Sequence, residues 1–377
     1  MKNNEQNDSK SHMFGHSEAK TRLLREYMAA YLGILSNTSW IRDVYLFDLF
    51  SGPGIYENNG KGSPVIFLEE IKRAYDSVVA RRGQEKYFHC RFNDHDAVKI
   101  DALKQNVTNE NLALGNKGDI QYSSLDYKVS LDNLLALVNA FNNERGFAFI
   151  DPYGYSEIAL RDIKRVLQTG KMEVLLFMPT HFMYRFRENA TPEALIRFLD
   201  DLDISEQVKG VKGLAFIEIV LNGFQAKLGY EYFVDSFAIE RERNQFFCLF
   251  FFTSNKLGYL KMLEAKWKVD KEDGRGWTND SEGGLFAKAP SANTLKLKRL
   301  LKEFLSKTGR SNESIFNFTI DNRFLPIHTN EILREFEQNG TIEVITFNYE
   351  KRRKGAFYLS MDNIKKNPNK ITVKLKQ

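Results

Sequence analysis

Phe47-Asp48-Leu49-Phe50-Ser51-Gly52-Pro53-Gly54 ends an apolar run that begins at Val44. A short apolar run broken by Ser-Gly-Pro-Gly reads as a buried strand meeting a tight turn. A helix from about Pro64 to Arg82 follows. The same rhythm then repeats along the chain. Tyr87–Phe92 runs into Asn93-Asp94-His95-Asp96 and a helix to about Asn106, and Ile120–Leu125 precedes a helix at Leu131–Phe141. Gly146–Ile150 runs into Asp151-Pro152-Tyr153-Gly154 and a helix near Ser156–Gln168, and Glu173–Met178 ends at Pro179. Alternating strands and helices, joined by right-handed crossovers, give a mostly parallel sheet covered on both faces, a doubly wound Rossmann-like α/β fold.

Two strands, Tyr232–Ile239 and Phe246–Thr253, are separated by a polar turn too short for a helical crossover, so they pair antiparallel. Before the first strand, Ser17 can cap a helix whose apolar residues Leu23, Leu24, Tyr27, Met28, Tyr31, Leu32 and Leu35 recur at helical spacing. Residues 1–16 are polar and read as a disordered start, 17–270 as the α/β domain with a mostly helical insertion at 179–230, and the Gly-rich stretch 271–290 as a linker. From 291 to 362, helices at Ala292–Thr308, Ser311–Phe318 and Thr329–Asn339 precede strands at Thr341–Phe347 and Ala356–Ser360. The two strands flank the charged run Tyr349-Glu350-Lys351-Arg352-Arg353-Lys354, and three helices with a basic-tipped hairpin suggest a winged helix, with a basic tail at 363–377.

At 377 residues two domains are expected, and 42% hydrophobic with 27% charged residues is an ordinary globular composition. No apolar run approaches the roughly 20 residues of a membrane helix, and the polar start lacks a secretory signal, which predicts a soluble cytoplasmic protein. Cys90 and Cys248, the two cysteines, both fall inside strands, where buried thiols are expected and a metal site is not. Charge is uneven: residues 289–377 hold 17 Lys and Arg against 9 Asp and Glu, while the first 288 hold 37 against 40. A polyanion such as DNA or RNA would be drawn to the C-terminal part, with Thr329–Phe336 as the candidate recognition helix.

Ligands of doubly wound sheets bind beyond the carboxyl ends of the strands. There the first turn lacks the G-x-G-x-x-G pattern that seats a pyrophosphate, and it places an acid, Asp48, ahead of Ser51, Gly52, Pro53 and Gly54. A carboxylate repels phosphates but suits the α-amino group and sulfonium of S-adenosylmethionine. Asp94 or Asp96 can accept from ribose hydroxyls and Asp126 from an adenine amino group. At the fourth strand end, Asp151 beside Pro152 can orient a substrate amino group toward a methyl donor, and Tyr153 can stack on a base turned out of a helix.

These residues, together with Gly62-Ser63-Pro64 and Phe149-Ile150 before Asp151-Pro152-Tyr153-Gly154, resemble the bacterial three-Cys-motif partner proteins, over roughly Ser17 to Val269. The resemblance implies a class I methyltransferase-like domain working beside a three-cysteine protein similar to radical-SAM enzymes. It implies donor contacts from Asp48, Gly52 and Gly54, a ribose contact from Asp94 and an acceptor contact from Asp151. The expectation is an S-adenosylmethionine-dependent methyltransferase acting on an exocyclic amino group of nucleic acid; the competing expectation is a non-catalytic adaptor with the same fold.

Overall fold

The computed structural model describes residues 15–83, 85–154, 158–187, 191–211, 213–242, 245–278, 292–347 and 351–376. They form two compact units, one drawn from residues up to Ala265 with Arg275–Gly283, the other from Lys266–Gly274 and Gly284 onward. Parts of the expected disordered start and of the expected linker, and the hairpin tip at Tyr349 and Glu350, lie outside the described residues.

The first unit is the expected doubly wound α/β fold. Its strands are β1 (Asp43–Asp48), β2 (Tyr87–Asn93), β3 (Gly118–Ser123), β4 (Arg145–Ile150), β5 (Met172–Met178), β6 (Phe233–Glu242), β7 (Gln245–Thr253) and β8 (Gly276–Thr278). They lie side by side in the order β3-β2-β1-β4-β5-β7-β6-β8. The first five are parallel, β7 runs antiparallel to both β5 and β6, and β8 is parallel to β6. β1 and β4 are neighbours although two strands separate them in sequence, so the sheet reverses its winding between them and leaves a crevice at their carboxyl ends. β8 falls in the stretch expected to be linker and extends the sheet by one short strand instead.

Among the described residues the helices α1 (Gly15–Asn37), α2 (Ser63–Ala74), α3 (Ala80–Arg82), α4 (Ala97–Asn109), α5 (Tyr127–Asn139), α6 (Leu160–Gln168), α7 (Thr180–Phe186), α8 (Glu193–Asp201), α9 (Leu214–Leu228) and α10 (Lys256–Val269) accompany the strands. The chain is already helical at Gly15, so Ser17 lies inside the first helix rather than capping it. A π-helical turn at Tyr75–Val79 joins α2 to α3. Alternation along the strands supplies both faces. Phe47, Ala148, Val174, Phe250 and Phe252 pack with apolar residues of α5, α6, α8 and α9. On the other face Tyr27 of α1 meets Phe147 and Phe251, and Phe67 of α2 meets Phe92 and Phe147. Strands buried on both faces are nearly continuously apolar, which is why they were readable as runs. Cys90 and Cys248 lie buried in β2 and β7. Among the described residues no helix is long and apolar enough to cross a membrane.

The second unit holds α11 (Leu295–Lys307), β9 (Arg310–Ser311), α12 (Asn312–Asp321), α13 (Pro326–Gln338), β10 (Ile342–Thr346), α14 (Met361–Lys366) and β11 (Ile371–Leu375). β11 lies in the centre of a three-stranded antiparallel sheet, between β10 and β9. Two expectations are corrected here. Residues 356–360 form no strand, and 363–377 is no basic tail, because Ile371 and Val373 are buried in β11 while Lys374 between them and Leu375 faces outward. The alternation of a half-buried strand was present in Ile371-Thr372-Val373-Lys374-Leu375, beneath the basic charge. Leu297, Leu301 and Leu305 of α11, Ile315 and Phe316 of α12, and Ile332, Leu333 and Phe336 of α13 fill this unit's core. Trp267 belongs to it as well, its indole N–H donating to the Arg323 carbonyl at 3.1 Å and its ring meeting His328 at 4.2 Å.

Candidate active site

The turn after β1 is tied to the strand ends on either side of it. Leu49 N–H donates to the Phe149 carbonyl at 3.2 Å and Ser51 N–H to the Asn93 carbonyl at 2.8 Å. Gly52 and Gly54 have φ of +58° and +76°, the left-handed region. A Cβ on Gly54 would also stand 2.5 Å from Leu103 Cδ1, so both conformation and space require glycine there. The Gly54 carbonyl accepts from Gly62 N–H at 2.7 Å, which brings the start of α2 against the turn. Asn106 on α4 donates to the Pro53 carbonyl at 2.9 Å.

Asp48, the last residue of β1, is completely buried. One carboxylate oxygen accepts from the Phe50 amide at 3.2 Å, and the Ser63 hydroxyl lies close enough to act on the charge; the second oxygen, like the buried Ser51 hydroxyl, has no partner of hydrogen-bonding geometry. Burial pushes the Asp48 carboxyl up to about 7; the Ser63 hydroxyl and Phe50 amide pull it down, Asp151 adds to the rise and Lys20 opposes it. A buried acceptor oxygen left unpaired costs free energy comparable to a lost hydrogen bond, and such an atom in a ligand crevice marks a place for a donor.

Asp151 follows β4 across the crevice, and its partner was not foreseen. Lys20 of α1 reaches the carboxylate at 2.5 Å. Its ammonium also sits 4.5 Å from the Phe177 ring centre. Desolvation acts to discharge Lys20, but Asp151, Tyr56 and Asp48 together outweigh it and hold the amine charged more firmly than in water. Two acids and one lysine thus share the space between the ends of β1 and β4. Nothing in the sequence near Lys20 singles it out, because 131 residues separate it from its partner.

At the end of β2 the four residues Asn93–Asp96 divide the work. The Asn93 side chain donates to the Leu49 and Leu125 carbonyls and accepts from the Leu125 amide and Ser123 hydroxyl, joining the ends of β1, β2 and β3. Asp94, fully buried, accepts from Gly52 N–H at 3.1 Å, from the Tyr153 hydroxyl at 2.9 Å and from Asp96 N–H at 3.0 Å. Asp96 caps α4 through the Val98 amide. Asp126, the candidate adenine partner, is exposed and caps α5 through the Lys128 amide at 2.8 Å. Pro152 is buried, and Tyr153, half exposed, lies over this strand end with the Lys99 ammonium 4.4 Å from its ring centre.

Asp48, Ser51, Asp94, Asp151 and Tyr153 are therefore brought to one edge of the sheet. Lys61, beyond the glycine turn, pairs with Glu69 at 2.6 Å, and the His181 ring packs at a tilt against Phe182 and Phe247. In the second unit the candidate recognition helix α13 turns Ile327, Glu331, Arg334, Glu335 and Gln338 outward, more acidic than basic. Lys298 of α11 neutralises Glu335 at 2.6 Å, and Arg352 pairs with Glu337. The basic residues of that unit are concentrated instead on α11, at 351–354 and from Lys365 to Lys376.

No family model matches the chain, and no curated protein matches it. Solved structures that align with it include the methyltransferase domain of bacterial CtHen1-C, at 12% identity over 61% of this chain and 98% of that one, with a TM-score of 0.29. An O-methyltransferase from Bacillus cereus in complex with SAH aligns at 11% identity over 60% and 80%, with a TM-score of 0.33. The N-terminal domain of human METTL16 in complex with SAH aligns at 13% identity over 61% and 68%, with a TM-score of 0.26. At TM-scores of this size the likeness decides nothing about the chemistry of this chain.

Proposed function

We propose that this chain is an S-adenosylmethionine-dependent methyltransferase acting on an amino group of nucleic acid, in the cytoplasm and beside a three-cysteine partner protein. The observation that carries the reading is that a buried Asp48 oxygen and the buried Ser51 hydroxyl, three residues on in the same turn, both lack a hydrogen-bond partner at the strand end where such sheets bind ligands. An acceptor-only carboxylate fits the donor's α-ammonium group, and a hydroxyl beside it can donate to the donor's carboxylate. The glycines keep β-carbons out of the way.

Bound there, S-adenosylmethionine supplies an electrophilic methyl group. Asp151 would accept a hydrogen bond from the acceptor amine, turn its lone pair toward the methyl carbon and stabilise the positive charge that grows on nitrogen. As the N–C bond forms, the C–S pair returns to sulfur; the surplus proton then leaves the nitrogen for water. Lys20 supports this role by showing that the Asp151 carboxylate accepts a cationic nitrogen in this position. We read the second unit, with α11, α12 and α13 beside a small antiparallel sheet, as a winged helix that brings the polyanion in through its basic segments.

Lys20 also favours a second reading. While its ammonium fills Asp151, the acceptor position is closed, as in an adaptor that binds donor or nucleic acid without methylating it. Titration of S-adenosylmethionine into the wild type and Asp48→Ala, followed by transfer of a labelled methyl group to DNA and RNA, tests both. Binding lost in the variant together with labelled product supports the enzyme; binding without product supports the adaptor; no binding by the wild type sinks the donor reading.

A further inference from the structure

An ionised carboxylate offers about four acceptor positions, two on each oxygen. Three of those on Asp94 are taken by hydrogen bonds and the fourth is faced by a histidine ring. Backbone amides of Gly52 and Asp96 take one position on each oxygen, at 3.1 and 3.0 Å. The other two are faced by side chains: the Tyr153 hydroxyl at 2.9 Å on one oxygen and His95 Nδ1 at 3.4 Å on the other. The amides are fixed by the glycine turn and by the start of α4. The side chains are not so confined, with Tyr153 47% exposed and the His95 side chain 63% exposed. Their rings meet edge to face at 5.6 Å, and both reach a carboxylate that is itself fully buried.

A ribose can reach Asp94 only by taking positions that these two side chains now hold. We infer that Tyr153 and His95 occupy Asp94 in place of the vicinal diol of the donor's ribose, and that donor binding exchanges them for the two hydroxyls. The inference rests on the methyltransferase reading and adds an order of events to it. Tyr153 stands two residues after Asp151, so a ring freed from Asp94 becomes available beside the acceptor carboxylate only after the donor is seated. The phenol that blocks the donor would then serve the acceptor, and an acceptor arriving first would find the ring still bonded to Asp94.

The sign of one substitution separates this from a structural role. Tyr153→Phe keeps the ring, its contacts with Phe50 and His95 and the approach of the Lys99 ammonium to its face, but removes the hydroxyl that the donor must displace, together with the hydrogen bond that hydroxyl accepts from Lys99. Isothermal titration of S-adenosylhomocysteine, which cannot turn over, into the wild type and Tyr153→Phe should show the variant binding about three- to tenfold more tightly. Circular dichroism and a melting curve confirm that the variant is folded. Equal or weaker binding by the folded variant overturns the inference while leaving the donor reading intact, since the wild type still binds. No binding by either protein removes the donor reading and this inference together.

Discussion

Two buried carboxylates on the same sheet are raised to the same pKa and differ in how fully the fold satisfies their oxygens. Asp48 at the end of β1 and Glu173 near the start of β5 are both pushed up to about 7 by burial. Pairing across β4 sets Asp48 level with Leu175, so Glu173 lies two residues nearer the amino ends of the strands. There the Tyr27 hydroxyl donates to one Glu173 oxygen and the Thr253 hydroxyl to the other, at 3.0 Å for the latter. Gly258 leaves room for the group, since a Cβ there would stand 2.1 Å from Glu173 Oε1. Glu173 is thus complete within the fold, whereas Asp48 has an oxygen that the fold does not satisfy. Equal desolvation says nothing by itself about function; the unmatched hydrogen bond does.

The largest expected effect falls on the incomplete site. Asp48→Asn should weaken S-adenosylmethionine binding at pH 8 by roughly 10- to 100-fold, about 1.5–3 kcal/mol for a charge-assisted contact, as read by calorimetry. Unchanged affinity would place the donor elsewhere and erase the contrast. Glu173→Gln should leave donor binding alone and raise stability at pH 8 by about 2–3 kcal/mol. Because burial raises the Glu173 pKa, the stabilisation from a protonated Glu173 is full below about 4.5, the unfolded value, and is lost as pH rises through about 7. Chemical denaturation of both proteins at pH 4.5 and pH 8 should therefore show the gain only at the higher pH.

A third test uses pH on the donor site. Asp48 must be ionised to meet an ammonium group, so wild-type affinity should rise by up to about tenfold between pH 6 and pH 8, and Asp48→Asn should be flat over that interval. The smallest effect is expected for Tyr27→Phe, which removes one of the two donors to Glu173 and should cost about 1 kcal/mol by denaturation, with donor affinity unchanged. A loss of donor binding in that variant would mean the two carboxylates are coupled through α1.

How far each region could be read from the sequence follows from the range of the interactions that make it. β1, β4 and β5 were legible because burial on both faces writes an unbroken apolar run, and the glycine turn because Gly52 and Gly54 need left-handed φ. β8 was hidden by its three-residue length, and β11 by lysines that alternate with its buried residues. In the candidate site, Asp48 and Asp151 declared themselves by standing at strand ends. Lys20 did not, nor did the bond from Tyr153 to Asp94, because each joins distant segments that only the fold brings together. Asp126 was ambiguous for a local reason: a helix start and a ligand-facing strand end favour the same residue type, and the carboxylate caps α5.

The position of β11 bears on how the second unit comes to be made. Its sheet is joined only through that strand, yet β9 and β10 leave the ribosome first. Until residues 371–375 emerge, the nascent chain carries two strands with no partner between them, a state open to mispairing and to capture by chaperones. A late frameshift that spared every residue of the candidate site would still release a protein whose second unit had never closed.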